Sequence, residues 1–163
     1  MATAIVIGVG NPVLADDAVG LVAARCVQNQ LGSESEVAVA EVYNGGLELM
    51  EAMAGYDRAF VIDAIVCGGR PGTIYRLGID DVATTRNTST THNGSLSAAL
   101  ELGRLSGVKL PDEVRIWAVE AGDVTTFHED LTPEVEAAVP VVAREIMRQL
   151  FSLTSVSPRR LAE

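Results

Sequence analysis

The sequence predicts a single-domain α/β protein with three layers, in which helices cover both faces of a mostly parallel, twisted sheet of about five strands. Apolar segments of strand length alternate along the chain with segments of helical periodicity, which is typical of parallel strands joined by crossover helices. Apolar residues make up 48% of the chain and aromatic residues only 4%, so the core has to be aliphatic. Buried parallel sheets have such cores.

The predicted elements follow one another without a repeat or an interdomain linker. Strands are predicted at 4–8, 37–42, 59–66 (interrupted by Asp63), 73–77 (at a sheet edge) and 114–119. Helices are predicted at 19–31, at 47–54 with Leu47, Met50 and Ala54 on one face, from Asn93 past Gly103, and at 133–150, where Pro140 should kink the helix or leave one hydrogen bond unmade. Residues 78–91 are interpreted as a polar surface loop. Residues 1–153 should form one catalytic domain, and 154–163 a disordered tail.

Charge and composition exclude several classes of protein. The net charge of −10 argues against nucleic acid as a partner, because binding to the phosphate backbone needs clustered Lys and Arg. No apolar segment has the length of about 20 residues that a membrane span requires, and the N-terminus shows no cleavable signal. Cys26 and Cys67 show neither metal-ligand spacing nor a disulfide framework. We therefore expect a cytoplasmic protein.

Acidic residues follow the first strand and interrupt the third. Asp16 and Asp17 come after a Gly8-Val9-Gly10-Asn11 loop, and Asp63 lies within an apolar segment, where an unpaired charge is costly. A strand order beginning 2-1-3 would bring Asp17 and Asp63 to the same crevice. Helix capping by the first pair, and capping of a turn by Asp63, are the structural alternatives.

His92 is the third residue of interest. It follows a threonine-rich stretch and precedes a predicted helix, so it could lie at the mouth of the same crevice. Two carboxylates and one imidazole from three loops can bind zinc or nickel and leave coordination positions open for water or substrate. The alternative to metal binding is a purely structural role for His92. For His128 this alternative is the stronger one.

The first loop also permits a nucleotide-binding interpretation. Gly8-Val9-Gly10 begins like a dinucleotide-binding glycine loop, and Glu41 would be the acid that binds the ribose. However, Val13 stands where the third glycine belongs, and Pro12 removes a backbone donor. The two aspartates would also repel a pyrophosphate. The dinucleotide-binding domain therefore remains the weaker alternative.

Several of these motifs together resemble the hydrogenase maturation proteases, which process the large subunit of nickel–iron hydrogenases. The similarity extends over residues 4–150. It is carried by the segments Gly8-Val9-Gly10-Asn11, Asp16-Asp17, Asp63-Ala64-Ile65, Pro71-Gly72-Thr73, His92 with Leu96 and Leu100, and Leu131-Thr132-Pro133-Glu134-Val135. The sequence departs from the family at Ala18, Ser95, Ala121 and the segment 41–46, which could define a subfamily with its own hydrogenase.

The resemblance implies an endopeptidase that removes a short C-terminal peptide from the nickel-loaded, immature large subunit. Asp17, Asp63 and His92 would bind the metal, with Asp17 and Asp63 as catalytic residues. Asp16 and Asn11 would support them, Asp16 as a partner of the ligands or as a helix cap. Nickel would arrive with the substrate, and zinc or cadmium could occupy the site in vitro. The alternative within the same fold is a non-catalytic, nickel-dependent binding or chaperone-like module.

Overall fold

A computed structural model describes residues 3–84 and 96–152. The strands are β1 (Ala4–Val9), β2 (Ala38–Val42), β3 (Arg58–Ile65), β4 (Ile74–Leu77) and β5 (Glu113–Glu120). The helices are α1 (Val19–Leu31), α2 (Leu47–Met53), α3 (Ile79–Thr84), α4 (Leu96–Leu105) and α5 (Pro133–Ser152), and a 3₁₀ turn (Ala15–Ala18) precedes α1.

The five strands form one sheet in the order β2-β1-β3-β5-β4. Strands β2, β1, β3 and β5 are parallel, whereas β4 runs antiparallel to β5 at the edge. The predicted α/β fold, the order beginning 2-1-3 and the edge position of β4 are therefore confirmed. Between β1 and β3 the order reverses, which in open α/β sheets makes the carboxyl ends of these strands the usual ligand site.

Side chains that alternate along the strands divide the core into two parts, one on each face of the sheet. Phe60 and Ile62 of β3 pack with apolar residues of α1 and α5, and Ala59 and Val61 pack with those of α2 and α4. This arrangement is the predicted three-layer architecture. It follows from the period of two in a strand, which sends consecutive side chains to opposite faces.

Two glycines allow β1, α1 and β3 to approach each other closely. A Cβ atom at Gly8 would overlap the carbonyl oxygen of Gly20, and a Cβ atom at Gly20 would overlap the carbonyl oxygen of Ile62. Because backbone atoms cannot move aside as a side chain can, neither position admits a larger residue without displacement of an element. The glycines thus fix how α1 starts beside the ends of β1 and β3.

The structure differs in detail from three of four predictions about individual elements. Strand β3 continues through Asp63 rather than being interrupted there, because this carboxyl group bonds within its own backbone. The first part of the predicted polar loop is helix α3, which begins beside a bond from the amide of Gly78 to the carboxylate of Asp81. In α2, Leu47 is exposed, and the buried residues are Leu49, Met50 and Met53. Helix α5 is continuous through the exposed Pro140, which has no N–H to donate.

Some predictions concern residues 85–95 and 153–163, which lie outside the described part of the chain. They include the position of His92, the start of a helix at Asn93, the rest of the polar loop and the tail at 154–163. Within residues 3–84 and 96–152, no helix is long and apolar enough to cross a membrane.

Candidate active site

The candidate site lies where β3 extends beyond β1. The last residue pair between these strands is Gly8 with Ile62, whereas the pairing of β3 with β5 continues to Ile65 and Glu120. Asp63 is therefore the first β3 residue with no β1 partner beside it. We call this position, between the end of β3 and the chain that leaves β1, the crevice, because open α/β sheets bind their ligands there.

Asp17 reaches this crevice from the 3₁₀ turn between β1 and α1. Its side chain is buried, and its Oδ2 accepts a hydrogen bond from the backbone amide of Asn11 at 3.0 Å. The Asn11 side chain in turn accepts from the amide of Val13 at 3.1 Å. Ala15 has a φ of +46°, a left-handed conformation uncommon for a residue with a Cβ atom. The loop that presents Asp17 is thus held in one specific shape.

Asp63 is 4% exposed, and its Oδ1 accepts the amide of Ala64 at 2.8 Å. Burial raises the pKa of Asp63 well above its ordinary value, although the hydrogen bond from Ala64 lowers it. The negative charge of Asp17 raises the pKa of Asp63 further. The structure thus brings Asp17 and Asp63 within electrostatic reach of each other. A pair of carboxyl groups in this environment favours a cation.

His92, the third predicted ligand, lies outside the described residues, four positions before α4. Among residues 3–84 and 96–152, no group of three His, Cys, Asp or Glu side chains is arranged to hold a metal ion. Of the three predicted ligands, the structure describes the two that carry oxygen donors, Asp17 and Asp63. Carboxylate oxygens are suitable donors for a divalent metal in a mixed site of oxygen and nitrogen ligands.

Asp16 is fully buried and faces away from this pair, toward the segment that follows β5. Its Oδ2 accepts the amides of Gly122 and Asp123 at 2.8 and 2.9 Å, and the hydroxyl of Thr132 at 2.8 Å. Its Oδ1 accepts the amide of Thr132 at 2.7 Å. Of the two roles considered for Asp16, capping of α1 does not apply, because the residue before that helix is Ala18 and no side chain caps it.

No sequence pattern indicated the role of the segment 121–132, to which Asp16 is bonded. Backbone bonds join it to the first loop, from Ala15 to the carbonyl of His128 at 2.8 Å and from His128 to the carbonyl of Val13 at 3.0 Å. No local pattern could have revealed these bonds, since their partners lie more than 100 residues apart. The one available signal was Asp16 itself, a second acid for which capping gave a poor explanation.

Glu120, at the end of β5, was also missed. Its buried carboxylate accepts the amides of Cys67 and Gly69, in the turn that leaves β3. The thiol of Cys67 contacts the same carboxylate at 3.6 Å. Glu120 therefore fixes the turn that follows β3, on the side of β3 away from Asp17.

The residues that favoured a dinucleotide have other contacts in the structure. Glu41 forms an ion pair with Arg25 and accepts the hydroxyl of Tyr43 at 3.0 Å. The pKa of Glu41 is lowered, mainly by the hydrogen bond from Arg25. Gly10 lies against the backbone of Asp17, since a Cβ atom there would overlap the Asp17 carbonyl oxygen. Gly10 thus allows close packing against Asp17, and Glu41 pairs with Arg25, so both residues have a structural role within the fold.

The fold and the site together describe an α/β protein with two acids at the reversal of strand order. Comparison with known proteins defines the family. The sequence model described as "Hydrogenase maturation protease" matches residues 22–149. The chain belongs to the hydrogenase maturation protease family and is accordingly a protease.

Individual relatives match over most of the chain. The hydrogenase 2 maturation protease of Escherichia coli (strain K12) is 28% identical over 148 residues, which cover 90% of this chain and 89% of that protein. The hydrogenase expression/formation protein HupD of Rhizobium leguminosarum bv. viciae is 25% identical over 91% of this chain and 74% of its own length. The solved structure of the hydrogenase maturating endopeptidase HybD from E. coli superimposes with a TM-score of 0.81, at 27% identity and 93% coverage of both chains.

Proposed function

We propose that this protease removes a short C-terminal peptide from the nickel-loaded precursor of a nickel–iron hydrogenase large subunit, with Asp17 and Asp63 at the reacting centre. The family membership supports the substrate. The observation that carries the choice of residues is the meeting of two buried carboxyl groups where β3 extends past β1. We further propose that it acts in the cytoplasm, where free thiols such as those of Cys26 and Cys67 are normal.

His92 completes the proposed ligand set, and the position of α4 supports it. After α4, the amide of Asp112 donates to the carbonyl of Asp57, just before β3 begins, at 3.1 Å. The C-terminal end of α4 is thus at the amino edge of the sheet, and its first residues point to the carboxyl edge. By the alternation along β3, Asp63 faces the layer of α2 and α4. Leu96, the first residue of α4, therefore lies toward the edge of the sheet at which Asp17 and Asp63 meet, and this supports the choice of His92 as the third ligand.

In the proposed mechanism, residues of this chain bind the nickel of the precursor and orient the scissile bond. Asp17, held by the amide of Asn11, and Asp63, held by the amide of Ala64, present their oxygens to the nickel carried by the precursor. Nickel bound in this way would polarise the scissile carbonyl group or acidify an attacking water. Burial of both carboxylates excludes bulk water and strengthens their electrostatic interaction with a cation. The sequence has no Ser-His-Asp or Cys-His pattern at a nucleophile elbow, so an acyl-enzyme is not invoked.

The experiment is incubation with the purified large-subunit precursor, in nickel-loaded and nickel-free forms, followed by intact-mass measurement. We expect the nickel-loaded precursor to lose the mass of a C-terminal peptide and the nickel-free form to remain intact. A binding module without catalytic activity would instead form a complex with the nickel-loaded precursor and leave its mass unchanged. Cleavage of both forms at equal rates would contradict nickel recognition while retaining the protease.

A further inference from the structure

The segment after β5 carries an exposed aromatic side chain beside the candidate site. Phe127 is 82% exposed, and Val13, from the loop that leads to Asp17, is 42% exposed. With His128, Glu129 and Asp130 they line a cavity of about 440 Å³, which we call the rim pocket. An exposed apolar surface rimmed by polar residues is typical of an interaction site.

The rim pocket is attached to the loop that presents Asp17. The bond from His128 to the carbonyl of Val13 joins its two walls, and the bond from Ala15 to the carbonyl of His128 continues the connection toward Asp16 and Asp17. A chain bound in the pocket would therefore lie next to the crevice. A patch elsewhere on the surface would not offer this continuity.

The segment that presents Phe127 is ordered before any partner binds. Oδ1 of Asp123 accepts the amides of Thr125 and Thr126, both at 3.0 Å. Hydrogen bonds from Thr126 and Thr125 lower the pKa of Asp123 to about 2, so the carboxylate remains ionised at neutral pH. The ring of His128 is oriented as well, because its Nδ1 accepts the amide of Asp130 at 3.1 Å. A segment whose backbone is already ordered loses less conformational entropy on binding than a mobile one.

The charges around the pocket favour one kind of partner. Glu129 and Asp130 contribute carboxylates to its lining, and the chain as a whole has a net charge of −10. An acidic border around an apolar surface is complementary to an apolar side chain with Lys or Arg beside it. It is a poor match for an acidic segment or a phosphate.

We infer that the rim pocket is a docking surface for the hydrogenase large-subunit precursor, which inserts an apolar side chain against Phe127 and Val13 and pairs a neighbouring Lys or Arg with Glu129 and Asp130. This inference rests on the proposed function and extends it to recognition of the partner. The pocket holds the body of the precursor while Asp17 and Asp63 act on the chain beside it.

The test compares Phe127→Ala with Leu105→Ala as a matched control. Leu105 is 80% exposed at the end of α4, near the amino edge of the sheet, so its truncation removes similar exposed apolar area away from the crevice. We expect Phe127→Ala to raise the KM for the nickel-loaded precursor about 10-fold, with a much smaller change in kcat, as for an aromatic anchor at an interface. Leu105→Ala should match the wild type.

A charge variant tests the second half of the inference. Glu129→Lys should also raise KM, and the difference from wild type should shrink as the salt concentration rises. Equal KM values for wild type, Phe127→Ala and Glu129→Lys would overturn the docking surface while leaving the protease intact. If the wild type itself left the nickel-loaded precursor uncut and unbound, the proposed function would fail, and the inference that depends on it would fail too. The two failures are thus distinguishable.

Discussion

At the scale of single residues, two neighbouring aspartates have different surroundings and different proposed roles. Asp16 has four donors within hydrogen-bond distance, all from the segment between β5 and α5. Asp17 faces the crevice and affects the pKa of Asp63. The pair in the sequence indicated a site but gave no means of assigning the two roles, because the partners of Asp16 are more than 100 residues away.

Asp16→Asn tests the structural role. An amide group would turn an NH₂ toward donors that now meet a carboxylate, leaving buried N–H groups unpaired. We expect the free energy of unfolding to fall by about 2–4 kcal/mol, measured by urea unfolding and circular dichroism. Asp112→Asn, at an exposed position before β5, is the control and should be neutral within about 0.5 kcal/mol. An Asp16→Asn variant as stable as the control would contradict this role.

Asp57 provides a prediction about pH. Hydrogen bonds from the amide of Thr3 and from Lys109 lower the pKa of Asp57 to about 2. An aspartate in the unfolded chain has a pKa of about 3.9. The ionised group thus stabilises the folded state above about pH 4, and this stabilisation is lost as the pH falls toward 2.

We therefore expect the wild type to lose more stability than Asp57→Asn between pH 4 and pH 2, in urea titrations repeated at each pH. The side chain of Asp57 is about one-third exposed, so solvent screens the carboxylate; the difference should be small and should decrease with added salt. Parallel pH profiles for the two proteins would show that this carboxylate makes no net contribution.

At the scale of elements, the sequence allowed the strand order and most helices to be predicted. The periodic spacing of apolar residues predicted α1, α5 and the buried faces of the strands, because this spacing directly reflects which residues are buried. The predicted break in the third strand at Asp63 was wrong. It was predicted because an acidic residue in an apolar segment usually indicates the end of a buried strand. The strand in fact continues, since the amide of Ala64 and the open side beyond β1 accommodate the carboxyl group. Helix α3 was missed because it is only six residues long, too short for its apolar residues to establish a helical period.

Gly20→Ala tests the close contact among β1, α1 and β3. A methyl group there would overlap the carbonyl oxygens of Val9 and Ile62, so α1 has to move away from both strands. We expect a loss of about 3 kcal/mol in the free energy of unfolding, together with reduced processing, because Asp17 precedes α1. Gly78→Ala is the control, because only the carboxylate of Asp81 lies near the added methyl, at an ordinary 3.5 Å. Equal stability of both variants would contradict this packing argument.

At the scale of the whole molecule, the carboxyl edge of the sheet carries both features on which the proposals rest, a buried pair of carboxyl groups and an exposed apolar surface. Buried carboxyl groups from the first loop and from β3 line the crevice, and Phe127 lies exposed on a segment bonded to that loop. The topology alone predicted the meeting of Asp17 and Asp63, since parallel strands end at one edge. It could not predict the position of the segment 121–132, which depends on hydrogen bonds to residues 13–16, more than 100 positions earlier in the chain.

We propose above all that Asp17 and Asp63 perform the processing reaction. The most direct measurement is the intact mass of nickel-loaded precursor after incubation with Asp63→Asn, beside wild type and Asp112→Asn. The asparagine keeps an oxygen to accept the amide of Ala64, so the fold should be retained, as circular dichroism would verify. We predict loss of the C-terminal peptide with wild type and with Asp112→Asn, and no loss with Asp63→Asn. Removal of the peptide by Asp63→Asn at the wild-type rate would contradict the account.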